Sequence, residues 1–160
     1  MSQAPHTHFH PKKILLPIDF SPSSHFALES ATALAQRFLA ELYLLNVVPM
    51  LPPVTGAELF QEEAILQEMK ERAEEQLESC VKALASKGLR ASSNVEIGND
   101  IAGNIMMVID REQIDMVVIS THGMSGWKPM IFGSIAEKVV KLVQCPLLLL
   151  RSFETAAQQP

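Results

Sequence analysis

The segment STHGMSGWKPMIFGSIAEK, residues 120–138, places Gly123, Gly126 and Gly133 between an apolar run and a helical pattern. Glycine has no side chain, so main-chain N–H groups beside it can approach an anion closely. Gly133 and Ser134 open a helix, and the first N–H groups of a helix together with its positive dipole end suit a phosphate. Lys128 adds a positive charge from the loop. The same residues carry a competing reading. SIAE, residues 134–137, fits a capping box in which Ser134 caps the helix and Glu137 reaches back. Such a box would consume N–H groups that a phosphate wants, and Glu137 would add a negative charge. Neither GxxxxGK[ST] nor GxGxxG occurs, so the P-loop and the dinucleotide fingerprint do not apply.

Few other groups offer chemistry. Asp19 ends the apolar run KILLPID and reads equally as a turn and cap residue or as a ligand contact. His122 lies in the glycine-bearing loop, but a kinase or hydrolase also needs metal-holding carboxylates around the transferred phosphoryl group. A lone histidine beside glycine reads as a hydrogen-bonding loop residue, so no catalytic residue is assigned. Asp19 alone makes no metal site. HTHFH sets His6, His8 and His10 at alternate positions, either a transition-metal clamp or a polar tail; the tail reading is preferred. Cys80 and Cys145 fit neither a CxxC pair nor a disulfide framework and read as small core residues.

The elements that must position these groups follow from periodicity. KILLPID (13–19), ELYLLNVVP (41–49), LRASSNVEIG (89–98), DMVVIS (115–120) and PLLLLR (146–151) read as five strands. Between them, SPSSHFALESATALAQRFLA sets Phe26, Ala27, Ala31, Leu34, Ala35 and Phe38 at helical spacing. From about residue 58 to 87, Ile65, Met69, Ala73, Leu77, Val81 and Leu84 recur on one face, and Gly88 marks the stop. NDIAGNIMMVIDREQI is a third helix with Asn99 or Asp100 as its cap, and SIAEKVVKLVQ a fourth. Strands apolar on both faces, alternating with helices, imply a doubly wound five-stranded parallel sheet covered on each side, an α/β, Rossmann-like class. Strand orders 3-2-1-4-5 and 2-1-3-4-5 lead. Ligands of such sheets bind beyond the carboxyl ends of the strands, where the winding reverses. Pro17 to Ser21 and Ser120 to Gly126 would face that crevice if strands 1 and 4 are neighbours.

At 160 residues with 48% apolar composition the chain reads as one globular domain, residues 12–152, with flexible tails at 1–11 and 153–160. A net charge of -5 argues against gripping nucleic acid by bulk charge. No apolar run reaches the roughly 18 residues of a membrane span, and residues 1–11 lack the apolar core of a secretory signal. A cytoplasmic location is expected. The strand PLLLL would be an apolar sheet edge with few charges, which invites pairing with a second copy.

KKILLPIDFS, LYLLNVV and VVISTHGMSGWKPMIFGSIAEKVVKLVQCPLLLL resemble the universal stress protein family of the UspA type, over roughly residues 12–151. The resemblance implies strand order 3-2-1-4-5 and dimerisation through the fifth strand. It also implies a nucleotide signature, G-x2-G-x9-G-[ST], matched here by Gly123, Gly133 and Ser134. Its first glycine position holds Ser120, which adds a Cβ and a hydroxyl. By this resemblance Gly123, Gly133, Ser134 and the N–H of Ile135 would hold phosphates, while Asp19 and the backbone near Val47 would contact the nucleoside. Pro17 and Ser120 complete the expected site. The ligand implied is ATP or AMP, with or without Mg, bound without turnover in a stress or signalling protein. The alternative is a nucleotide-free dimeric interaction protein of the same fold.

Overall fold

The computed structural model describes residues 9–52, 58–121 and 133–151. Nine elements run in the order β1 (Lys13–Pro17), α1 (Pro22–Phe38), β2 (Glu41–Val48), α2 (Glu58–Ser86), β3 (Ala91–Ile97), α3 (Ile101–Glu112), β4 (Met116–Ser120), α4 (Ser134–Leu142) and β5 (Leu147–Leu150). The strands form one sheet in the order β3-β2-β1-β4-β5, parallel at every junction. Of the two orders open from the alternation of elements, this is the one that makes β1 and β4 neighbours.

Side chains of successive strand residues point to opposite faces, and both faces here are apolar. Ile14, Leu16, Leu42, Leu44, Met116 and Val118 pack on one face beneath α1 and α2. Leu15, Tyr43, Leu45, Val117 and Ile119 pack on the other beneath α3 and α4. Ala27, Ala31 and Ala35 are the buried small residues that let α1 lie close on the sheet. Phe26, expected on that inner face, is 44% exposed, and Leu28 packs against the core in its place. Ile65 of α2 is likewise turned outward, with Leu66 packed inward beside Met69. Phe26 and Ile65 lie at the margin of faces that periodicity alone defines loosely. Cys80 and Cys145 are half-buried on opposite faces of the sheet, and burial pushes both thiols up.

Local chemistry sets the helix ends. Ser21 caps α1 by accepting from the Ser24 N–H at 3.2 Å, with Pro22 in the first turn. Asp100 caps α3 by accepting from the Gly103 N–H at 3.2 Å. Gly88, just past α2, has φ of 76° with open space around it, so backbone conformation alone selects glycine there. His10 meets the Phe38 ring edge-on at 5.8 Å; His6 and His8 lie outside the described residues. No described helix is long and apolar enough to cross a membrane.

Candidate functional site

Near its start β1 pairs with β4 through Ile14↔Met116 and Leu15↔Val117. Beyond those pairs the two strands part, and a crevice of about 270 Å³ opens at their carboxyl ends. This is the reversal point of a doubly wound sheet, with the starts of α1, α3 and α4 around it.

One wall follows β1. Pro17 and Asp19 line it, and the Asp19 carboxylate accepts from the Ser21 N–H at 3.1 Å. Between Asp19 and Ser21, Phe20 holds a left-handed backbone with φ of 61°, an unusual conformation for a bulky side chain. Val47 comes in from β2.

The opposite wall follows β4 and the start of α4. Ser120 and Thr121 lie at the strand end, and Gly133, Ser134 and Ile135 begin the helix. The Gly133 N–H donates to the Thr121 carbonyl at 2.7 Å, so the end of β4 and the start of α4 meet at one point. Thr121 is in turn tied to the sheet edge, its N–H donating to the Leu150 carbonyl at 2.9 Å. Gly133 has an ordinary φ of −70°. A Cβ there would stand 3.1 Å from the Thr121 carbonyl, so close approach and not backbone freedom selects glycine.

The expected capping box is not formed. The residue with extended backbone at the start of α4 is Gly133, which places Ser134 inside the helix, and among the described residues no side chain caps the end. The Glu137 carboxylate instead turns along the helix to Lys141 at 2.7 Å, a contact that holds it below the usual carboxylate range. Helix geometry explains the difference: residues four apart share a face, whereas reaching back requires Ser134 to be the non-helical residue. Of the two amides that a capping box would have occupied, that of Glu137 donates to the Gly133 carbonyl at 2.9 Å, which leaves the Ser134 N–H outside any such box.

Ile101, Ile105 and Ile119 supply an apolar wall. Ile105 and Ile119 belong to the buried core, so the wall is backed by close-packed side chains. Such a crevice can hold a flat apolar ring against the isoleucines, with an anion at the start of α4. Of the residues read from sequence, Pro17, Asp19, Val47, Ser120, Gly133, Ser134 and Ile135 converge on the crevice. Gly123, Gly126, His122 and Lys128 lie outside the described residues. Among the described residues no group of three or more His, Cys, Asp or Glu side chains could hold a metal ion. Sequence reading placed Thr121 within the crevice-facing stretch from Ser120 to Gly126, and it missed Asn46 and the α3 isoleucines. The α3 cap at Asp100 was legible, and every helix of this fold starts at the carboxyl edge, so Ile101 was within reach.

These observations define a doubly wound α/β chain with an open crevice at its reversal point. The profile of the Universal stress protein family matches residues 10–151. A universal stress protein of Methanocaldococcus jannaschii is 31% identical over 140 residues, covering 88% of this chain and 82% of that protein. Among solved structures, universal stress protein UspA from Lactobacillus plantarum superposes with a TM-score of 0.81 at 22% identity, covering 90% of this chain and all of that one. A universal stress protein from Archaeoglobus fulgidus, solved in complex with dAMP, gives a TM-score of 0.59 at 19% identity, covering 88% of this chain and 98% of that one. The chain belongs to the universal stress protein family.

Proposed function

We propose that the chain binds an adenine nucleotide, ATP or AMP, in the β1/β4 crevice without turning it over, and serves as a nucleotide-responsive stress or signalling protein. The uncapped start of α4 carries this reading. It faces the same crevice as Asp19 and Val47, so an anion site and a nucleoside site lie on opposite walls of one cleft. The base lies against the isoleucine wall, Asp19 and the Val47 backbone take the nucleoside, and Ser134 and the Ile135 N–H take phosphate oxygens. The dAMP complex of the Archaeoglobus fulgidus relative supports the ligand class. An accompanying Mg would ride on the phosphates.

Two copies are proposed to associate through β5. Its four leucines are half-buried in the single chain, and as the last strand in the sheet it leaves an apolar edge to pair.

The deciding experiment is direct. Denaturing freshly purified protein should release adenine nucleotide into the supernatant. ATP at about 100 times its dissociation constant should raise the melting temperature by about 5–10 °C. No released nucleotide and no shift with millimolar ATP would overturn the reading. The same sample should sediment as twice the 17.7 kDa chain; a monomer at micromolar concentration would overturn the pairing.

A further inference from the structure

We propose that Asn46 is a positioning residue for the ligand: by holding the Ile18 carbonyl it fixes the turn that presents Asp19 to the crevice. The inference rests on the nucleotide reading and adds to it a residue that makes no assumed contact with phosphate.

The argument begins with an exception in the core. Leu42, Leu44 and Val48 are the β2 residues that face α1 and α2, and Asn46 falls between them in the same alternation. An apolar side chain would satisfy that layer. The position instead holds an amide that is only 8% exposed, and a buried amide must be hydrogen-bonded to be tolerated. Its Nδ2 donates to the Ile18 carbonyl at 2.7 Å.

Ile18 sits where the main chain leaves the sheet. The β1–β2 register runs to Pro17↔Leu45, and proline has no N–H to give. Just beyond, the Ile18 N–H donates to the Leu45 carbonyl at 2.8 Å, and Asn46 takes the Ile18 carbonyl. Ile18 is thus gripped on both main-chain groups from β2.

The turn after Ile18 is strained. Phe20 has φ of 61°, and a bulky residue stays in the left-handed region only where its surroundings over-determine it. Two anchors do so. Asn46 holds the turn from before, and the Ser21 cap of α1 holds it from after, with the Ser21 N–H also bound to Asp19. Releasing the first anchor lets Phe20 relax to an ordinary φ and carries Asp19 with it. The phosphate wall hangs on Thr121 and Gly133, so it does not depend on this anchor. Loss of Asn46 should therefore weaken the nucleoside end of the site and spare the phosphate end.

Titration calorimetry on the full chain with AMP and with inorganic tripolyphosphate tests this, using two variants. Asn46→Leu keeps the volume and removes the donor. Asn46→Asp keeps the shape and donates only when protonated, which burial favours. AMP affinity should fall about tenfold or more in Asn46→Leu, with tripolyphosphate binding equal to that of the parent chain. Asn46→Asp should match that loss at neutral pH and recover, relative to the parent chain, as the pH falls towards about 5. If Asn46→Leu does not give the parent's far-ultraviolet dichroism, the pH recovery of Asn46→Asp decides alone. Unchanged AMP affinity in both variants, equal losses for both ligands, or a deficit in Asn46→Asp that ignores pH would each overturn the inference. A parent chain that binds neither ligand would remove the nucleotide reading and this inference together; a parent chain that binds AMP beside unaltered variants removes the inference alone.

Discussion

The strands β1 and β4 are joined at one end and separated at the other, and the two ends are built differently. At the amino end the Lys12 and Lys13 N–H groups both donate to the Asp115 carboxylate, at 2.8 and 3.1 Å, and the Asp115 N–H returns a bond to the Lys13 carbonyl at 3.2 Å. The Lys13 ammonium adds an ion pair with Glu112 at 3.3 Å and sits 5.1 Å from the centre of the Tyr43 ring. At the carboxyl end direct pairing is given up. The Asn46 amide ties the end of β1 to β2, and the Thr121 N–H ties the end of β4 to β5. A parallel pair can tolerate an open cleft at one end when charge-assisted bonds secure the other. Stability and binding should then be separable by which end is altered.

The largest effect is expected at the open end. Gly133→Val places a branched side chain against the Thr121 carbonyl at the start of α4. ATP affinity should drop about 100-fold, roughly 2.7 kcal/mol, measured by calorimetry beside an unchanged amino-end network. Unaltered affinity would show that phosphates lie elsewhere.

A smaller effect of the opposite kind belongs to the closed end. Asp115→Ala strips two main-chain N–H groups of a charged acceptor. Unfolding free energy should fall by about 2 kcal/mol in a denaturant titration, with ATP affinity within about twofold. An equal loss of affinity would erase the distinction between the two ends.

The smallest is a pH effect. Glu112 is held below the usual carboxylate range, first by the hydrogen bond from Arg111 and then by the one from Lys13. A carboxyl depressed in the folded state adds stability above its unfolded value of about 4.3 and loses it as pH falls through the lower folded value. Glu112→Gln should flatten that acid limb by no more than about 0.5 kcal/mol, because the pair is partly solvated and screened. A change above the roughly 2 kcal/mol expected of Asp115→Ala would mean that the amino end depends on this ion pair more than on Asp115.

Much of the fold was legible because β1, β2 and β4 are apolar on both faces, a pattern that only a covered parallel sheet satisfies. The site was legible where strand ends and a glycine-serine pair met a known architecture, which brought Asp19, Ser120 and Gly133 together, while Val47 came from the family resemblance alone. The rest depended on tertiary facts. SIAE fits a capping box in one dimension, but the helix begins one residue earlier because Gly133 is held by Thr121. Phe26 and Ile65 lie at the edges of amphipathic faces, where one step of rotation decides burial. Asn46 reads as an interruption in LYLLNVV, and its partner Ile18 lies 28 residues away. Asp115 gives no local signal at all, since its carboxylate serves amides of Lys12 and Lys13, far back along the chain.

The Asp115 clasp also dictates a timetable. Lys13 and Asp115 are 102 residues apart, so β1 emerges during synthesis long before its second neighbour exists. Until β4 arrives, the nascent chain presents an apolar edge along β1, with β2 and β3 able to assemble on one side only. Docking of β4 is thus the late, high-contact-order step of folding, and the interval before it is when the chain is most exposed to aggregation.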